Sequence, residues 1–355
     1  MTAYIKLKTS DDELYDEKGQ EHSQTINITK FSFKKFFEAC IVWIKYVFHI
    51  ITVKQIYQAK IVIFPFAKQK KIGFWSTKKY QYHMKNCINK LKRMVKTEKI
   101  NAVILSDELK TDKIFLQQFL ENDEIKKHLT LMNGKGVFSY LILEIVEYIL
   151  QKQQKQTEME DVYLLMHHNK QDYIDNILFL LHHFKTINIV TDNLKPFQLL
   201  AEKIEGEDGI PITVSNNKRK SLKRAQIIVN FDFQEEELKQ YVIYRRAILI
   251  QAGNNASYEN STFDGIQVHH MDIEASQEIK ELFEKYYLLG TCSLINLYEG
   301  ILNQKENFLS VRRQLENDQV KVLNLYGKNG IINQKEYQRI KLETRKYSNL
   351  NIKSH

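Results

Sequence analysis

The sequence predicts an α/β fold: an N-terminal α/β domain, then a doubly wound parallel sheet, then C-terminal helices. Three observations lead there. Between 161 and 273, short apolar runs alternate with helical segments through short crossovers, which is how a parallel sheet is built. Runs such as IIV (227–229) and ILI (248–250) lack polar alternation, as strands covered on both faces do. Earlier in the chain, apolar runs recur about 30 residues apart with helical stretches between them, the spacing of βα units.

Taken in order, residues 1–30 are polar and mixed in charge and read as a weakly ordered arm. The segment 31–51, FSFKKFFEACIVWIKYVFHII, is apolar but carries Lys34, Lys35, Glu38, Lys45 and His49. A spanning helix needs about 20 nearly uninterrupted apolar residues, so no transmembrane segment is expected. A core or interface helix is the plainer reading. KIVIFPF (60–66), NAVILS (101–106) and HLTLM (128–132) are strand candidates, and helices are expected over 77–96 and 137–151. This makes 31–150 the first domain. QKQQKQTEMED (151–161) is nearly free of apolar residues and marks the boundary. The second domain, 151–273, holds six expected strands: 162–166, 187–191, 212–215, 226–233, 247–253 and 265–273. The last part, 274–355, reads as helical, with helices over 279–301, 308–318 and 334–346.

Composition excludes several classes. Of 355 residues, 43% are hydrophobic and 27% charged, which is globular rather than disordered. The formal charge of +9 comes from 43 Lys and only 9 Arg, beside abundant Asn, Gln and Ile and three Pro. An AT-rich genome imposes that bias on a surface whatever the function, so charge alone does not call for a nucleic-acid partner. Cys40, Cys87 and Cys292 are scattered and odd in number, with no CxxC, so neither a disulfide framework nor a thiolate zinc site is supported. With no apolar leader at the N-terminus, a cytoplasmic protein with reduced thiols is expected.

The order of elements over 161–273 resembles the nucleotide-binding, Rossmann-type domain of the glutamyl-tRNA reductase and shikimate dehydrogenase (amino-acid-dehydrogenase-like) enzymes. The resemblance covers about a third of the chain closely and the remainder in domain order only. It implies a glycine-rich turn after the first strand, where backbone amides approach a pyrophosphate. This sequence instead reads MHHNKQDY (166–173), without glycine, so His167, His168 and Asn169 stand where a diphosphate would lie. Asn169 is the expected cap of the following helix. Asp192, just past the second strand, takes the place of the acid that receives the ribose hydroxyls. If a dinucleotide binds, NAD is favoured over NADP there; a turn cap is the competing role. The run Asn216, Asn217, Lys218, Arg219, Lys220 could grip a phosphate or carboxylate, or simply be a solvated loop. Asn230 ends the fourth strand, and Phe231 stands where the family keeps small residues beside a nicotinamide.

Three His-His pairs, 167–168, 182–183 and 269–270, do not make a chelate, since neighbours on a strand point to opposite faces. Only two ligands can be nominated, and no metal is expected. GKNGIINQKEY (327–337) has part of an EF-hand spacing but lacks its early carboxylates. No nucleophile stands in a catalytic constellation, so catalytic residues are unknown. Three functional readings follow. The first is a nucleotide or small-anion site at the strand ends, formed by His167, His168, Asn169, Asp192, Asn216, Arg219 and Asn230. The second is a non-catalytic interaction or regulatory protein that has lost its cofactor and meets a partner through 31–51 or the C-terminal helices. The third is an NAD-dependent oxidoreductase.

Overall fold

The computed structural model describes residues 1–7, 45, 51–56, 59–64, 77–253, 258–303, 305 and 307–340. Most of 31–51, and with it Cys40, lies outside the described residues. The chain divides into two compact units, Met1–Val137 with Ile273–Val320, and Phe138–Asp272 with Lys321–His355. Each is discontinuous in sequence.

The first unit holds a five-stranded sheet of β1 (Thr2–Leu7), β2 (Thr52–Ile56), β3 (Ala59–Phe64), β4 (Ala102–Leu105) and β5 (Thr130–Leu131), in the order β2-β3-β1-β4-β5. All neighbours are parallel except β2 and β3. Residues 2–7, expected in a polar arm, are therefore the central strand. Alternate residues face opposite sides: Ala3, Ile5, Val62, Phe64, Val103 and Leu105 pack on helix 77–97 through its Met84, Cys87, Ile88 and Leu91. Tyr4, Ile61, Ile63 and Ile104 join a second cluster with Phe283, Leu288 and Leu297. Burying each such side chain is worth about 1.5–3 kcal/mol, so β1 is anchored from both faces. Lys6 is buried as well, its Nζ donating to the Tyr286 carbonyl at 2.9 Å.

The second unit carries six parallel strands: β6 (Asp161–Leu165), β7 (Thr186–Val190), β8 (Ile212–Ser215), β9 (Ile227–Asn230), β10 (Ile248–Gln251) and β11 (Ile266–Val268). Their order is β11-β10-β9-β6-β7-β8. Counted within the domain this is 3-2-1-4-5-6, the Rossmann arrangement, with the topological switch point between β6 and β9. Every residue of β9 and β10 is buried, which accounts for their unbroken apolar runs.

Three expectations need correction. GIQVHHMDI is not one strand: it breaks at His269, whose N–H turns to the Tyr326 carbonyl, and β12 (His270–Glu274) starts a separate sheet. That sheet, ordered β12-β13-β14, includes β13 (Lys321–Gly327) and β14 (Gly330–Ile331), so the C-terminal part is not helical throughout. Helix 279–301 is two helices, 277–284 and 294–302, interrupted where Tyr287 takes a left-handed φ of 53°. Among the described residues, no helix is long and apolar enough to cross a membrane.

Candidate functional site

Parallel pairing sets Leu165 of β6 beside Asn230 of β9, so the loops leaving both strands share one edge of the sheet. Asn230 builds the second loop from inside. Its Oδ1 accepts the Phe233 N–H at 2.9 Å, while its Nδ2 donates to the Phe233 carbonyl at 3.0 Å and to Gln251 Oε1 at 2.8 Å. Fully buried, Asn230 folds 231–233 back over the strand end and does not face a ligand.

That fold-back aims Asp232 at the first loop. Its Oδ1 accepts the His167 N–H at 2.7 Å, and its Oδ2 accepts the His168 N–H at 3.1 Å. His168 Nδ1 lies 2.8 Å from the same Oδ2. The Asp232 side chain is only 8% exposed. Backbone amides at this position of a Rossmann domain ordinarily face a pyrophosphate. Here a carboxylate from the same chain takes that role.

Phe233, next along, lies flat on the His167 imidazole, with ring centroids 4.2 Å apart and planes 4° from parallel. The other side of His167 meets charge. Its Nε2 lies 2.7 Å from Glu237 Oε2, and its Nδ1 lies 3.8 Å from Asp192 Oδ2. Lys218 closes the group, donating to Asp192 Oδ2 and, at 2.5 Å, to Glu237 Oε1. Its ammonium also sits 5.0 Å from the Phe233 ring centroid and 5.8 Å from that of Tyr241. Burial pulls the Lys218 pKa down, but hydrogen bonds to Asp192 and Glu237 outweigh it and hold the group above its usual value. His167, Asp192 and Glu237 each offer one ligand atom, all within 4.8 Å of one another. Among the described residues no other such group occurs, and His269 and His270 are not part of this one.

The expected site residues thus separate. His167 and Asp192 meet in this cluster. His168 bonds Asp232 and is 68% exposed. Asn169 is exposed and does not cap: helix 171–180 starts after Lys170, which makes no side-chain cap bond. Asn216 is exposed, its carbonyl accepting the Lys218 N–H at 2.9 Å, and Arg219 is exposed beside it. Phe231, expected to crowd a nicotinamide, is buried with its ring 4.8 Å from that of Tyr173. Asp232, Phe233 and Glu237 escaped sequence reasoning, and Lys218 was visible only as part of a basic run. The one available signal was an acid two residues beyond a buried strand, which ordinary turns share. Neither described thiol is an activated nucleophile, since burial pushes Cys87 up to about 12 and Cys292 up to about 11.

No protein-family model matches the chain, and no curated protein matches it. Solved structures do align with it over most of its length. L-tryptophan dehydrogenase from Nostoc punctiforme is 10% identical over 89% of this chain and 87% of that one, at a TM-score of 0.30. Shikimate 5-dehydrogenase from Listeria monocytogenes, solved with shikimate and NAD, is 8% identical over 88% and 96%, at 0.26. A chorismate mutase/shikimate 5-dehydrogenase fusion protein from Clostridium acetobutylicum is 10% identical over 89% and 96%, at 0.25. The Rossmann-like character of the second unit rests on its own strand order, β11-β10-β9-β6-β7-β8.

Proposed function

We propose that this chain is a non-catalytic interaction or regulatory protein whose Rossmann-type domain no longer takes a dinucleotide. One observation supports this reading above the rest: the Asp232 carboxylate accepts both amide N–H groups that a pyrophosphate would need. An incoming phosphate would have to displace a buried anion already bonded to both donors. It would also have to part the Phe233–His167 stack. A nucleotide or anion site at these strand ends would need those donors unengaged, and NAD-dependent oxidoreduction would need a cofactor pose as well as a catalytic group. A cytoplasmic setting accords with the free, buried Cys87 and Cys292. For a partner surface, helix 308–317 presents Leu309, which is among the exposed large apolar side chains.

Thermal unfolding with NAD, NADH, NADP, ATP and S-adenosylmethionine at about millimolar concentration tests the reading. A ligand at about 100 times its Kd adds about 2.7 kcal/mol, enough to move the midpoint by a few degrees. The expected result is no shift with any of the five. A clear shift with one of them, lost in Asp192→Ala, would reinstate the nucleotide site.

A further inference from the structure

We propose that His167, Asp192 and Glu237 bind a divalent cation, zinc foremost, in exchange for the Lys218 ammonium. The three side chains come from three separate stretches, after β6, after β7 and after β9, and the sheet alone brings them together. Each supplies one donor atom within 4.8 Å of the other two. Donors in a tetrahedral zinc shell stand about 3.3 Å apart, so the group has to contract, and Asp192, 64% exposed, is held by Lys218 and by the nearby imidazole.

Two further features point to a cation of higher charge. The cluster already holds a positive charge: Lys218 is only 7% exposed and its ammonium bridges two of the three candidate ligands. Charge is also unbalanced around it. The Asp192 and Glu237 carboxylates meet a single ammonium, with His167 the titratable group in contact with both. A dication neutralises more of that charge than an ammonium does. The donor set decides among dications, since an imidazole nitrogen beside carboxylates suits zinc, whereas magnesium and calcium prefer oxygen alone. The exposed Asp192 carboxylate gives the ion access from solvent, and Lys218 heads a five-residue helix behind the exposed Asn216–Asn217 turn.

Isothermal titration of the full chain with zinc chloride, after stripping with EDTA, tests this. The expected result is one zinc per chain. Asp192→Asn should weaken it by about tenfold or more, the scale at which even an outer-shell partner matters, and Glu237→Gln likewise. Lys218→Met should strengthen it, because the competing ammonium is gone. Circular dichroism of each variant establishes that it folds, and the exposed Asp192 is the safest of the three. Absence of binding overturns the site. So does zinc binding that Asp192→Asn leaves unchanged, which would place the metal elsewhere on the chain. Zinc held no more tightly by Lys218→Met overturns the exchange. These outcomes read zinc alone; dinucleotide binding is read separately, by the thermal shifts with NAD, NADH and NADP.

Discussion

Two loops at the same edge of the second sheet treat close backbone approach in opposite ways. After β10 the chain reaches Gly253, whose N–H donates to the Asn230 carbonyl at 3.2 Å. A Cβ placed there would lie 1.6 Å from the Phe231 carbonyl oxygen. After β6, where a dinucleotide-binding domain carries its glycines, this chain has Met166, His167 and His168, and their loop meets a side-chain carboxylate instead. Glycine marks where two backbones touch. In this domain the touching backbones both belong to the protein, and the side that would face a ligand is furnished with imidazoles.

The comparison is most easily broken at Gly253. Gly253→Ala should destabilise the second unit by about 3 kcal/mol or more, because backbone rather than a flexible side chain must give way. Urea unfolding followed by circular dichroism measures it, and a loss under about 1 kcal/mol would mean that the approach is not tight. Asp232→Ala comes next. It leaves two amides without their acceptor, at a cost of about 2–3 kcal/mol, read as a lowered midpoint in the same assay. If the variant then gains stability from NAD, the carboxylate alone was keeping the dinucleotide out; if not, the His167–Phe233 stack contributes as well. The smallest effect concerns pH. A lysine whose folded pKa is raised contributes stability that is complete below the unfolded value of about 10.5 and is lost as pH climbs through the raised value. Lys218→Met should therefore flatten the alkaline fall in stability above about pH 10.5 relative to the unaltered chain. An identical fall in both would show that the ammonium is not held by its carboxylates.

Much of the fold was legible and much of the site was not, for one physical reason. Strands β6 to β10 are apolar runs bounded by polar turns, and burial on both faces writes itself into IIVN and ILIQ whatever the function. β1 was lost because Lys6 disguised a central strand followed at once by a polar stretch. β13 was lost because KVLNLYG buries fully only Leu325 and shows weak alternation. The site turns on polar contacts across distant stretches: His167 with Glu237 spans 70 residues and His167 with Asp232 spans 65. Charge, unlike apolarity, has no period along the chain, so Glu237 looked like one more acid in EEEL, and Lys218 like one more base in a run.

The interleaving of the two units has a consequence for how the protein is made. β1 leaves the ribosome long before its cover, since the Tyr4 hydroxyl donates to the Leu297 carbonyl, 293 residues on, and Thr2 Oγ1 to that of Gly300. At about 10 residues per second, the nascent β1 waits about half a minute for the helix that covers it. Strands β6 to β11 emerge as one uninterrupted stretch before that helix exists. The sheet of β6 to β11 can therefore form before the sheet built on β1 is covered, although β1 is made earlier, and β1 is a segment that chaperones would have to shelter until residues 294–302 have been made.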